Sequence, residues 1–134
     1  MTAGKEVVIS ARSLKKVFCM GETVQTVFEN VNLDIYRGDF TILMGASGAG
    51  KSTLMYALSG MDRPTSGRIT FSGKEITNCT DDQLAVFRRK NCGFVFQQIY
   101  LFENMSLMDN VLTAGALCNN SKKEVVERAR ELFE

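Results

Sequence analysis

The chain has 134 residues, 45% hydrophobic and 23% charged, which suits one domain able to bury a core. Its 16 Lys and Arg against 15 Asp and Glu leave a formal net charge of +1, so no large positive field exists to attract the phosphate backbone of a nucleic acid. There is no histidine, and the four cysteines (Cys19, Cys79, Cys92, Cys118) are scattered, so a tetrahedral zinc site lacks a ligand set and the thiols read as reduced and cytosolic.

Residues 1–6 lack the apolar stretch of a signal peptide, and no apolar run approaches the roughly 20 residues needed to cross a bilayer. Service to a membrane process is then expected from the cytosolic side, through a partner. Without histidine, acid–base chemistry near neutral pH has to come from a carboxylate or from elsewhere.

In chain order, residues 7–9 and the stretch from Leu14 to Phe18 are short apolar segments. After a turn signal at Gly21-Glu22, Val31, Leu33 and Ile35 alternate with Asn32, Asp34 and Tyr36, the period of a half-buried strand. Arg37-Gly38-Asp39 is a turn. Residues 40–44 are apolar with little alternation and predict a strand buried on both faces. Past residues 45–53, Leu54, Met55, Ala57 and Leu58 fit a short helix ending at Ser59-Gly60.

Residues 63–67 form a loop with the only proline, Pro64, and Ile69 and Phe71 before Ser72-Gly73 predict a strand and hairpin turn. Thr80 with Gln83 is a capping box for a helix over about 81–90, with Arg88-Arg89-Lys90 as its solvated end. Residues 93–96 read as a second buried strand running into Gln97-Gln98. Ser106 and Ser121 cap two more helices; in the second, Ser121 pairs with Glu124, and Val125, Val126, Ala129 and Phe133 mark an apolar face. This order predicts an α/β protein with a partly parallel sheet.

Gly45, Gly50, Lys51 and Ser52 complete the pattern G-x-x-x-x-G-K-[ST], between an expected buried strand and an expected helix. A triphosphate needs many donors converging on a small volume. Backbone N–H groups of Gly45, Ala46, Ser47, Gly48, Ala49 and Gly50 can supply them if the chain wraps closely, and Gly48 and Gly50 permit that approach. The start of the following helix adds free N–H groups and a favourable dipole. Lys51 offers an ammonium to the β- and γ-phosphates, Ser52 a hydroxyl to Mg²⁺, and Thr53 a donor to the α-phosphate region. Magnesium there keeps several waters and leans on the phosphates of ATP.

The residues around the loop carry a resemblance. Residues 40–53 (F-T-I-L-M-G-A-S-G-A-G-K-S-T), the M-D-R-P-T-S-G turn at 61–67, the segment 88–97 and L-M-D-N-V at 107–111 resemble, in order and spacing, the ABC-transporter ATPase family. The loop wording and the insert from Gly21 to Gln25 are most similar to the exporter branch of macrolide, lipoprotein-release and antimicrobial-peptide systems. The resemblance implies a P-loop NTPase core with an N-terminal antiparallel β subdomain and the start of a helical subdomain, truncated. Its division is about 1–38 and 67–76 for the β subdomain, 39–66 and 77–98 for the P-loop core, and 99–134 for the helical start.

The same resemblance implies a homodimer of ATPase subunits, peripheral at the cytosolic face of the membrane, coupling ATP to export through a permease. Phe18 falls where the family stacks an aromatic on adenine; tyrosine is usual there, and phenylalanine keeps the π face. Gln97 falls on the glutamine that reaches Mg²⁺ and the attacking water, and Tyr100, Leu101 and Phe102 lie in the region that meets the permease. Asp109 stands where glutamate is commoner.

The family's signature L-S-G-G-Q, Walker B strand, D-loop and switch histidine are not in these 134 residues. Lys51 and Gln97 alone do not supply the positioned water and charge stabilisation that phosphoryl transfer requires, so the expectation is nucleotide binding with little or no hydrolysis. A missing core strand would also expose apolar edges beside 40–44 or 93–96 and leave the chain marginal or prone to association. Two other readings stand beside the export ATPase. One is a non-hydrolysing ATP-binding module that regulates or scaffolds a membrane complex. The other is a small nucleotide kinase, against which the D-x-P-T-S-G turn argues.

Overall fold

A computed structural model describes residues 4–118 and 121–133. They fall into two compact units, divided between Arg88 and Arg89.

The first unit is built on a four-stranded antiparallel sheet of order β2-β1-β3-β4. β1 (Val7–Met20) and β2 (Thr23–Tyr36) form a long hairpin closed by the two-residue turn Gly21-Glu22, with Gly21 at φ 62°. β3 (Ser66–Phe71) pairs with β1 from Ile9↔Phe71 to Lys15↔Ser66, and the short β4 (Lys74–Glu75) folds back on β3 through Ser72-Gly73. The two apolar segments expected before Met20 are thus one strand. What divides them is a bulge near Ser13, whose φ is 49°, where the pairing slips against both neighbours.

Gly67 sits against that bulge at φ 98°. A Cβ there would stand 2.6 Å from Ser13 O and 2.7 Å from Leu14 Cα. Only glycine lets β3 approach β1 this closely.

Helix α1 (Lys51–Leu58) starts at Gly50 and ends through Ser59 and Gly60, as its sequence predicts. Helix α2 (Asp81–Asn91) opens on the reciprocal capping box: Thr80 N–H donates to Gln83 Oε1 (2.9 Å) and Gln83 N–H to Thr80 Oγ1 (3.3 Å). Ala11, Leu14 and Ile69 from the sheet join Ala57 and Leu58 of α1, Ile76 just after β4 and Leu84 of α2 in one buried cluster, flanked by Ile9, Phe28, Val31, Leu33, Leu54 and Phe87. Arg88 is half-buried and donates to Gly60 O at 2.6 Å, so it is not the solvated charge expected of a helix end, whereas Arg89 and Lys90 are exposed.

The expected parallel part is not formed. Among the described residues every strand pairing is antiparallel, and residues 40–44 and 93–96 lie in no strand. Phe40 and Met44 are about nine-tenths exposed, and Val95 is 98% exposed. The apolar run predicted a strand correctly in composition, but a buried strand also needs hydrogen-bonding neighbours on both edges, and none lies alongside among the described residues.

In the second unit, Phe94 and Phe96 project from one side of an extended segment and stack at 5.7 Å, and Tyr100 meets Phe96 edge-on at 5.1 Å. Helix α3 (Leu107–Leu117) is capped by Ser106, whose Oγ accepts from Asp109 N–H at 3.0 Å. Asn110 holds the preceding loop: its Oδ1 accepts from Phe102 N–H (2.8 Å), and its Nδ2 donates to Phe102 O (3.2 Å) and Ser106 O (3.0 Å). Helix α4 (Lys122–Phe133) is capped by Ser121 with Glu124 and packs Val125 and Ala129 inward, so close to α3 that Gly115 leaves no room for a side chain. No helix of the described residues is long and apolar enough to cross a membrane.

Candidate functional site

Residues 45–50 form an exposed loop that ends on the left-handed Gly50 and passes directly into α1. Gly48 (φ 78°) and Gly50 (φ 81°) both take the conformation that L side chains avoid. One turn is closed within the loop, from Ala49 N–H to Ala46 O at 3.2 Å. A Cβ on Gly48 would meet nothing within 4 Å, so its glycine answers the backbone conformation rather than crowding. Gly50 differs: a Cβ there would stand 2.6 Å from Val27 Cγ1 and 3.7 Å from Phe28 Cδ1, because the start of α1 is pressed against β2.

The start of α1 carries no side-chain cap and no acidic residue in its first turn. No side chain answers its leading N–H groups, and the positive end of the helix dipole lies behind them, an arrangement suited to an anion. Lys51 folds back over the loop, its Nζ donating to Gly45 O (2.8 Å) and Ala46 O (2.6 Å). Ser52 is exposed on the first turn, and Thr53 is half-buried beside it.

Phe18 lies near the hairpin end of β1, 43% exposed, opposite Gln25 of β2. Gln25 is two residues from Val27, the residue Gly50 packs against, so the backbone brings Phe18 to within about 7 Å along the strand of the point where the helix start touches the sheet. The first unit thus carries both Phe18 and residues 45–53.

Gln97 belongs to the second unit, exposed in a bend after the Phe94–Phe96 stack. Close by, Tyr100 OH donates to Gln98 Oε1 at 3.4 Å, and Ile99, Tyr100, Leu101 and Phe102 are all exposed. Two residues with roles in the local structure went unnoticed in the sequence, Lys16 and Asn110. A lysine in an apolar strand reads as a charge reaching water, and its acceptors lie 46 and 47 residues away at Asp62 and Arg63. Asn110 did lie within a recognised segment, which was the one available signal.

A glycine-lined loop leading into an uncapped helix, with a lysine and a serine at its start and a twisted antiparallel sheet beside it, defines a P-loop nucleotide-binding protein. The family model for the ABC transporter matches residues 28–134. The lipoprotein-releasing system ATP-binding protein LolD of Wigglesworthia glossinidia brevipalpis is 36% identical over 95% of this chain and 56% of its own length. The macrolide export ATP-binding/permease protein MacB of Hahella chejuensis is 38% identical over 96% of this chain and 20% of its own. Among solved structures, the dimeric ATP-binding cassette MJ0796 in a post-hydrolysis state, bound to ADP and Pi, superposes with a TM-score of 0.85 at 33% identity, covering 92% of this chain and 54% of that one. The chain belongs to the ABC transporter family and corresponds to the front part of its ATP-binding cassette. It spans about half the length of the cassettes it matches.

Proposed function

We propose that this chain forms the nucleotide-holding half of an ABC-transporter ATPase subunit, which binds Mg-ATP at residues 45–53 and works with a membrane permease in export. The observation that carries the reading is the loop: left-handed Gly48 and Gly50, an uncapped helix start, and a lysine lying over the concavity a phosphate would fill. The ADP and Pi held by the similar cassette MJ0796 support the same ligand class.

On this reading, N–H groups from Gly45 to Gly50 cradle the β-phosphate, Lys51 turns from its two carbonyls to the β- and γ-phosphates, and Thr53 serves the α-phosphate. Ser52 would hold Mg²⁺. The residues fit that ion: a hydroxyl stands exposed at the phosphate end, and among the described residues no cluster of three or more Cys, Asp or Glu offers a protein cage, so phosphate and water supply its other ligands. Bound there, magnesium would neutralise charge on the phosphate oxygens. Phe18 stacks the adenine, and Gln97 keeps the role towards magnesium and the attacking water that its place in the family's motif implies.

The exposed row Tyr100, Leu101 and Phe102 is the proposed contact for the permease, and pairing with a second cassette is proposed from the dimeric MJ0796 structures. A place at the cytosolic face of the membrane, hydrolysis coupled to transport, and the division into β subdomain, P-loop core and helical start at the boundaries given above belong to the same proposal.

The test is Mg-ATP affinity of Lys51→Ala, measured by calorimetry. Loss of a charge-assisted contact to phosphate predicts a fall of about ten- to a hundredfold. Unchanged affinity would overturn the assignment.

A further inference from the structure

Lys16 is the one buried charged side chain among the described residues, 8% exposed. A lysine in that position needs its charge and its donors answered. Its Nζ donates to Arg63 O at 2.6 Å, pairs with Asp62 Oδ2 at 2.6 Å, and stands 5.0 Å from the centroid of the Phe18 ring. Both oxygen partners lie in the turn that follows α1, the helix opening at the phosphate loop.

That turn is fastened to β1 at two further points. Thr65 N–H donates to Lys15 O at 2.8 Å, and Val17 N–H donates to Thr65 Oγ1 at 3.0 Å. The other end of α1 is pressed against β2 at Val27 and Phe28, and Phe28 is the cross-strand partner of Lys16. The helix that presents the phosphate loop is therefore tied at both ends to the hairpin that carries Phe18.

We propose that Lys16 is a positioning residue for the nucleobase: clamped by the 62–65 turn, it holds the Phe18 ring with its ammonium on one face and leaves the other face for a purine. This rests on the reading of Phe18 as the base platform. The cation fixes the orientation of a ring that is otherwise 43% exposed, and it draws down the negative potential of the π cloud, which favours an electron-rich base on the open side. Because the same ammonium bonds the turn that follows α1, the clamp also sets how far the base platform stands from the phosphate loop. Lys16 touches no phosphate in this scheme and takes no part in the chemistry.

The experiment compares dissociation constants for Mg-ATP and Mg-tripolyphosphate in the full chain by calorimetry. Lys16→Met keeps the buried stem and removes the charge; Asp62 remains hydrated, since its side chain is 40% exposed. The expected result is a loss of about three- to tenfold for ATP, with tripolyphosphate unaffected. Lys16→Arg should restore ATP affinity, and Lys16→Met should add nothing in a Phe18→Ala background. Should Lys16→Met fail to fold, Asp62→Asn loosens the clamp without emptying the buried position and should show a smaller loss, again for ATP alone.

Equal losses for both ligands would make Lys16 a support of the whole loop and overturn the proposal. So would full ATP affinity in Lys16→Met while Phe18→Ala is impaired. Full ATP affinity in Phe18→Ala would instead sink the base-platform reading, and the inference with it. Failure of the phosphate site is separate, because only Lys51→Ala should weaken both ligands together.

Discussion

Gly67→Ala should loosen the sheet at its centre, and the structure supplies a built-in control for the size of the effect. At φ 98° an alanine meets the left-handed penalty, and its Cβ would also lie 2.6 Å from Ser13 O, 2.7 Å from Leu14 Cα and 2.8 Å from Arg12 O. All three are backbone atoms of the strand at the middle of the sheet, so none can swing aside as a side-chain tip would. The penalty for the conformation is about 1–2 kcal/mol, and forced overpacking adds about 1–3 kcal/mol. Gly73, in the β3–β4 turn, has φ 79° but open space around its Cβ position. Gly73→Ala therefore registers the conformational part alone, and the difference between the two variants isolates the close approach.

Deuterium exchange of the amides paired between β1 and β3 reads this locally, without requiring that the chain unfold in one step. A difference of about 1–3 kcal/mol corresponds to exchange about five- to 150-fold faster in Gly67→Ala than in Gly73→Ala. Equal exchange in the two variants would refute the reasoning, because the bulge at Ser13 would then be able to give way.

Gly115→Ala should weaken the α3–α4 pair although alanine is the better helix former. The new Cβ would stand 2.6 Å from Val125 Cγ2 and 3.0 Å from its Cβ, and overpacking of about 1–3 kcal/mol exceeds a propensity gain of about 1 kcal/mol. Protease resistance of that helix pair should fall, and Val125→Ala in the same chain should restore part of it; a more resistant single variant would contradict the crossing. Acid should also destabilise the chain. The Arg12 bond holds the Asp34 carboxyl below its ordinary 3.8, the Arg37 bond holds Glu6 below 4.5, and the Ser121 hydroxyl holds Glu124 below 4.5. Groups depressed in the folded state stabilise it above their ordinary values and lose that contribution as pH falls through the depressed ones. The melting temperature should therefore hold from pH 7 to about 5 and decline below about 4, less steeply in Asp34→Asn; a flat profile to pH 2 would contradict the pairing.

Much of the molecule was legible because its signals are local. The Thr80–Gln83 box, the Ser106 and Ser121 caps and the stop at Ser59-Gly60 each involve residues three or four positions apart, and each appears in the structure where expected. The loop from Gly45 to Ser52 was legible for a different reason, since its chemistry demands particular residues at fixed spacing. What stayed hidden depends on distant partners. Residues 40–44 have the composition of a buried strand, yet a strand exists only with neighbours to bond, and Phe40 is 90% exposed. The bulge that separates two apolar segments within the single strand β1 turns on the backbone angle at Ser13. The buried role of Lys16 depends on a turn 46 residues further along, and that of Arg88 on Gly60, 28 residues back.

The lysine lying on its own loop gives the site a property of its own. With Nζ bonded to Gly45 O and Ala46 O, Lys51 ties the start of α1 back to the first two residues of the loop through uncharged acceptors. On the proposed reading, entry of a phosphate would be an exchange, two uncharged acceptors for anionic ones, and the gain would be only the excess strength of the charged bonds. Such an exchange discriminates by charge density. On that reading a singly charged anion would offer the ammonium less than adjoining phosphates, which present several oxygens at once, so the loop would favour a polyphosphate over chloride or a carboxylate.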